Sequence, residues 1–288
     1  EKIISEAFLL CTDYEHLLSR TFEGSDIWEI NHSGGVPFPA DAETLELLEL
    51  ALYYGDLSGG SFDVTLGRLS EMWDFTGETP SVPDEEEIRE ALSHTGSENI
   101  VISGDEVYLK DSSAHLDLGG IAKGLAADKV KEFLVDRGIS SGIINFGGNV
   151  VVFGGKTDEK GKSLPFDIGV AAPKNPGSGK IAGYLSLKDG SVVTSGNYER
   201  YFEENGQRYH HILNPKTGYP AETGIDSVTI VSERSADGDA LSTACFVLGL
   251  EKGIDLIENI PDTEAVFITD DGQFHFTSGA EELFTITK

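Results

Sequence analysis

Two cysteines in 288 residues, Cys11 and Cys245, are too few for a disulfide framework, and neither stands at a metal-site spacing. Both read as small buried apolar residues. Positive charge is also scarce, with 21 lysines and arginines against 50 aspartates and glutamates, a net charge of −29. A field of that sign repels nucleic acid backbones and anionic lipid surfaces and argues against genome binding. No apolar run approaches the roughly 18 to 20 residues that cross a bilayer, and the first residues lack the basic, apolar, small-residue order of a secretion signal. The sequence has no fixed-period repeat and no low-complexity tract. What it does have is 39% hydrophobic and 9% aromatic residues, enough for a packed globule. The chain starts at Glu1 rather than Met, which is compatible with a leader or anchor removed ahead of it and decides nothing about destination.

Apolar residues from Ile3 to Leu18 recur at three- and four-residue steps and predict an opening helix over Lys2 to Ser19. Glycines and prolines between Arg20 and Pro39 predict an irregular connection. A helix follows from near Asp41, striped by Leu45, Leu48, Leu52 and Tyr53, and another spans Asp84 to His94. Asn99–Ile102 and Glu106–Leu109 flank Ser103-Gly104-Asp105 as a hairpin. His115 to Leu118 reads as a strand end running through Gly119-Gly120 into a helix from about Ile121 to Arg137. The remainder is rich in strands, with helices near Asp239–Leu248 and Lys252–Asn259. Lys156–Lys162 and Pro173–Lys180 read as surface loops. The order favours α+β: a single domain over 1–288 with a mainly antiparallel sheet and packed helices.

Five segments have residue types that carry chemistry. His115 to Gly124 passes through two glycines into a helix with Lys123 one turn in, which suits a phosphate or is a tight turn. Asn145-Phe146-Gly147-Gly148-Asn149 fits a hairpin, and Thr194 to Phe202 is a polar interruption between strands. In Tyr209 to Pro220 the adjacent His210 and His211 point to opposite faces of a strand, so one packs and the other can exchange protons in a cleft. In Ser235 to Ala244, Ser242 and Thr243 lie three and four residues after Asp239. One carboxylate and two hydroxyls then share a helix side, an all-oxygen set suited to magnesium. The competing reading makes Asp239 an N-cap and the hydroxyls backward-bonding helix residues.

Taken in order, these segments resemble the ApbE-like family of FAD:protein FMN transferases. Leu18-Ser19-Arg20 and Phe62-Asp63-Val64-Thr65-Leu66-Gly67 before Trp73 extend the resemblance over nearly the whole chain. It implies one α+β, T-fold-like domain that binds FAD with Mg2+ and moves FMN onto a threonine of a target flavoprotein, releasing AMP. The resemblance also implies that Ser61, Phe62 and Asp63 border the flavin nucleotide. Asp117, Lys123 and Ile212 contact it, and Thr21 lies where relatives touch the flavin ring. Gly120 through its carbonyl, Asp239 and Thr243 are the implied magnesium ligands, with Ser242 where some relatives have a carboxylate. Relatives usually place a strand with a Met-Gly-Thr-like flavin contact before the first helix, whereas this chain begins in that helix.

Such relatives work outside the cytoplasm, often lipid-anchored, on targets with an Asp-x-x-Ser/Thr-Gly-Ala-Thr-like acceptor. Thr277-Ser278-Gly279-Ala280-Glu281 has glutamate where the acceptor threonine belongs, so self-flavinylation is not expected. His211, beside the flavin segment, is the expected base. Water in place of the acceptor would make the chain an FAD pyrophosphatase. A flavin-binding carrier would lack a working metal site, and a plain extracytoplasmic interaction protein would leave the five motifs unexplained.

Overall fold

The computed structural model describes residues 1–174 and 179–287, so the loop expected over Pro173–Lys180 lies partly outside the described residues. The chain opens with α1 (Lys2–Leu18), which turns Ala7, Tyr14 and Leu18 inward. α2 (Asp26–His32) lies within the stretch expected to be irregular. Ser25 caps it by accepting the Trp28 N–H, while Ile27 and Ile30 bury a stripe too short to register as periodicity. β1 (Phe38–Pro39) and α3 (Ala42–Leu57) follow; α3 starts near Asp41 as expected, and Asp41 caps it by accepting the Glu43 N–H. α3 buries Leu47, Leu48, Ala51 and Tyr54, whereas Tyr53 faces solvent. After α4 (Gly67–Trp73) and α5 (Glu85–Leu92) comes the expected hairpin, β2 (Ile100–Ser103) with β3 (Glu106–Leu109).

α6 (Ala122–Asp136) runs until Gly138, whose positive φ ends it. β4 (Gly142–Phe146) and β5 (Asn149–Phe153) join through Gly147 and Gly148. The expected loop after β5 is instead a small hairpin, β6 (Lys156–Thr157) with β7 (Ser163–Leu164). Then come β8 (Phe166–Ala171), β9 (Ile181–Leu187) and β10 (Gly190–Gly196). β11 (Tyr201–Glu204) and β12 (Gln207–His210) pair around Asn205 and Gly206, both at positive φ. The chain closes with β13 (Ile225–Ser232), α7 (Ser235–Leu248), α8 (Leu250–Glu258), β14 (Glu264–Thr269), β15 (Phe274–Phe276), α9 (Ala280–Leu283) and β16 (Phe284–Ile286).

These elements form two compact units, one of Glu1–Cys11, Lys123–Glu199 and Thr223 onward, the other of Thr12–Ala122 and Arg200–Glu222. The first is built on a six-stranded sheet of order β15-β14-β13-β10-β5-β4, antiparallel throughout. Alternation along β5 divides its side chains between two layers: Val151 and Phe153 pack with Ala127, Val130 and Leu134 of α6, while Val152 packs with Ile168, Leu185 and Phe284 from the β16-β9-β8 sheet. α7 lies along β10 and β13. The second unit centres on Trp73, which stacks on Phe75, approaches Phe202, Tyr209 and Tyr219, and donates its indole N–H to the Gly218 carbonyl at 2.8 Å. The architecture is α+β. Among the described residues, no helix is long and apolar enough to cross a membrane.

Two local expectations give way. His115–Leu118 is not a strand: His115 makes one parallel bridge to Leu66. Both peptide groups of Leu116 are instead met by the buried Asn31 side chain, which donates to the carbonyl at 3.0 Å and accepts the N–H at 2.7 Å. Asp239 does not begin α7, which starts at Ser235 and carries Asp239 into its second turn.

Candidate active site

In the first unit, α6 and α7 meet at their N-terminal ends. Gly124 permits the approach, because a Cβ there would lie 2.4 Å from the Ser235 carbonyl oxygen and 2.5 Å from Ala236 Cα. Asp128, one turn further along α6, accepts the Ser235 and Ala236 N–H groups at 2.8 and 2.9 Å. It thereby caps a helix whose own N-cap, Arg234, makes no side-chain cap bond. Burial pushes the Asp128 carboxyl up to about 6, against the lowering effect of those two N–H groups. The return contact comes from Asp239, only 3% exposed, whose Oδ2 accepts the Gly124 N–H at 3.0 Å. Lys123 Nζ stands 3.3 Å from Asp239 Oδ1, so the nearly buried carboxylate has its charge met by a half-exposed ammonium.

One turn beyond Asp239, the hydroxyls converge on Ser195 of β10, which lies in the polar Thr194–Phe202 segment but to which the sequence alone assigns no role. Its Oγ lies 2.8 Å from Ser242 Oγ and 3.3 Å from Thr243 Oγ1, and Ser242 also donates to the Asp239 carbonyl at 3.0 Å. Ser242 is fully buried. Backward bonding thus describes Ser242, while Asp239 and the part-buried Thr243 keep the one-turn spacing read from the sequence. Asp239, Thr243 and Ser195 supply only hard oxygen donors, with a single carboxylate among them. That set fits magnesium, which is held by one or two carboxylates and completed by waters and substrate phosphates. Among the described residues there is no group of three or more His, Cys, Asp or Glu placed to hold a metal ion.

In the second unit, Asp117 accepts from the Arg20 guanidinium at 3.2 Å and, through its other oxygen, from the Gly119 N–H at 2.9 Å. Gly120 lies in the turn just after it. Glu71 extends this network to His115 at 3.2 Å and Arg20 at 3.7 Å. Burial raises the Glu71 carboxyl, but hydrogen bonding and charge from His115, with Arg20, bring it net below the usual range. Phe62 is buried and its N–H is held by Ser58 Oγ, while Ser61 is buried beside it. Asp63 Oδ1 accepts the Thr65 N–H and hydroxyl at 2.8 and 2.6 Å. Burial nevertheless raises its carboxyl above the ordinary value. Thr21 is exposed, its hydroxyl 3.1 Å from Ser19 Oγ.

The two histidines part, one buried and one partly exposed, but not by strand alternation, because β12 ends at His210 and His211 lies beyond it. His210 is 7% exposed, donates from Nε2 to the Ala221 carbonyl at 3.2 Å and accepts the Ile212 N–H on Nδ1 at 3.3 Å. Burial brings it down to about 4, so it stays a neutral packing group. It also holds the backbone of Ile212, itself buried. His211 stands just past the strand, partly exposed, with Nδ1 3.2 Å from the Arg200 carbonyl. A carbonyl only accepts, so Nδ1 carries a proton in this contact.

Of the residues singled out in the sequence, the structure joins Lys123 with Asp239 and links Ser242 and Thr243 through Ser195. Ser61, Phe62 and Ile212 are instead packed inside the second unit. Sequence reasoning missed Asp128 and the roles of Ser195 and Arg20. Arg20 and Ser195 both stand in segments singled out in the sequence, whereas a helix aspartate such as Asp128 carries no local signal of its partner.

Fold and site together define a class: an antiparallel-sheet α+β scaffold whose lysine, carboxylate and hydroxyls suit cation-assisted chemistry at phosphate. The ApbE family model matches residues 2–267, and the chain belongs to that family. It is 37% identical over 288 residues to an FAD:protein FMN transferase of Treponema pallidum, covering 96% of this chain and 79% of that one. A transferase of the same name from Klebsiella pneumoniae is 36% identical, with 93% and 83% covered. Among solved structures, the ApbE protein of Thermotoga maritima superposes with a TM-score of 0.89 at 36% identity, covering 98% of this chain and 91% of that one. The apo flavinyl transferase ApbE of Pseudomonas stutzeri gives 0.85 at 31%, covering 99% and 89%.

Proposed function

We propose that this chain is a magnesium-dependent FAD:protein FMN transferase. The observation that carries the reading is the joining of Lys123 to Asp239, one turn before Thr243, in a member of this family. Asp239 and Thr243 hold Mg2+, with the Gly120 carbonyl as the further ligand the family resemblance implies. Magnesium held there would supply positive charge to polarise the pyrophosphate. Lys123 neutralises a phosphate oxygen, Asp117 is oriented by Arg20 toward the nucleotide, and Ser61, Phe62, Asp63, Ile212 and Thr21 frame the flavin half. His211 Nε2 takes the proton of the acceptor threonine as its oxygen attacks the FMN phosphorus. The phosphorus–oxygen bond to AMP breaks, and AMP leaves with the electron pair.

The acceptor is an Asp-x-x-Ser/Thr-Gly-Ala-Thr-like segment of a separate flavoprotein. We assign the protein to the extracytoplasmic side, lipid-anchored or periplasmic, from family resemblance, and treat the chain as one transferase domain because both units are assembled from interleaved segments. Incubation with FAD, Mg2+ and an acceptor peptide should add the mass of FMN to a peptide threonine and release AMP. Asp239→Ala should abolish both, and because it leaves the Gly124 N–H unmet it should also lower stability, so its folding is checked by circular dichroism alongside. Because Thr21 is short and exposed, slow hydrolysis of FAD to FMN and AMP is expected without acceptor. Free FMN in both reactions, with no gain in peptide mass, would make the chain a pyrophosphatase.

A further inference from the structure

We infer that Ser195 and Ser242 are positioning residues that polarise a chain of hydroxyls, so that Thr243 Oγ1 offers only lone pairs to a bound cation. This rests on the reading of Asp239 and Thr243 as cation ligands. The direction of the chain follows from counting protons. A serine or threonine hydroxyl has one hydrogen to donate and two lone pairs that accept. Ser242 Oγ lies 3.0 Å from the Asp239 carbonyl oxygen, which has no hydrogen, so the Ser242 hydrogen is committed there. Across the 2.8 Å contact to Ser195, Ser242 can then only accept, and Ser195 is the donor. Ser195 in turn has only lone pairs left for Thr243 at 3.3 Å, so the Thr243 hydrogen points to Ser195.

The far side of Thr243 Oγ1 is therefore a pure acceptor, the form a hard cation requires. An unfixed threonine hydroxyl would spend part of its time with its hydrogen toward the ion. The carbonyl that anchors the chain belongs to Asp239, the residue whose carboxylate is the other ligand, so backbone and side chain of one residue serve both halves of the site. Full burial of Ser242 keeps water from supplying a competing hydrogen bond.

The test is Mn2+ binding to the FAD-free protein, read as loss of the free-ion EPR signal, alongside thermal melting without metal. Ser195→Ala should weaken Mn2+ binding by about tenfold or more. Its melting temperature should barely move, because Ser195 is part-exposed and its loss strands no buried charge. Ser195→Thr keeps the hydroxyl and should stay within about threefold of wild type, which a purely steric role of the serine would not predict. Asp239→Ala should lose binding altogether. Binding by Ser195→Ala within about twofold of wild type, with Asp239→Ala inactive in binding, would overturn the hydroxyl chain alone. Wild-type-like binding by Asp239→Ala, or no uptake by wild type, would overturn the ligand reading beneath it.

Discussion

At the scale of single residues, neighbouring identical side chains do different work because their proton inventories differ. His210 uses both nitrogens inside the second unit, Nε2 toward Ala221 and Nδ1 from Ile212, whereas His211 uses Nδ1 toward Arg200. Strand alternation pointed to such a division, but its premise of two strand positions does not hold, because β12 ends at His210 and the chain turns at His211. What the sequence could not give was which histidine turns inward, because that depends on the register of β12 against β11. The consequence is kinetic. His211→Asn should lower FMN transfer by a factor of about 100 to 10,000, the range general base catalysis contributes, with FAD affinity little changed. His210→Gln retains a donor toward Ala221 and should transfer at close to the wild-type rate. Single-turnover assays with separate FAD titrations check both, and a reversal of the two variants would move the base to the other face.

At the scale of elements, the site depends on two helices fixed to each other end to end. Their existence was readable from periodicity, Lys123 and Gly138, but the start of α7 was misplaced by four residues. The reason is physical. Arg234 supplies no capping oxygen, so the usual signal is absent, and the cap arrives from Asp128 on another element. The same kind of long-range substitution hid the Leu116 segment, whose peptide is matched by Asn31 rather than by a strand. Local propensity cannot report a partner 85 or 107 residues away. Because Asp128 is capping rather than merely filling space, Asp128→Ala should leave two buried N–H groups unmet and lower stability by about 2 kcal/mol. It should also weaken Mg2+ activation, since α7 carries Asp239 and Thr243. Urea unfolding and a Mg2+ titration of AMP release check the pair. A loss of stability with unaltered Mg2+ dependence would confine Asp128 to a structural role.

Across the whole molecule, 50 acidic residues and a net charge of −29 set a large common background to any pH dependence. Two buried groups stand out from it with opposite signs. Asp128 is raised from 3.8 to about 6, so between those values the folded protein holds a proton that the unfolded chain has released. Its contribution is complete below about 4 and is lost as pH rises through about 6. His210 is lowered from 6.5 to about 4, so there the unfolded chain holds the extra proton. Its contribution is complete above about 6.5 and is lost as pH falls through about 4. Each shift corresponds to about 3 kcal/mol, and over the shared window near pH 4 to 6 the two largely offset each other. Substituting one should expose the other. Relative to wild type, His210→Gln should lose stability as pH rises from 4 to 6, whereas Asp128→Asn should gain it over the same interval. The other carboxylates enter all three proteins alike and drop out of the differences. Urea midpoints measured in half-unit pH steps give the slopes. Parallel curves for the three proteins would mean that neither group is buried in the protonation state assigned to it here.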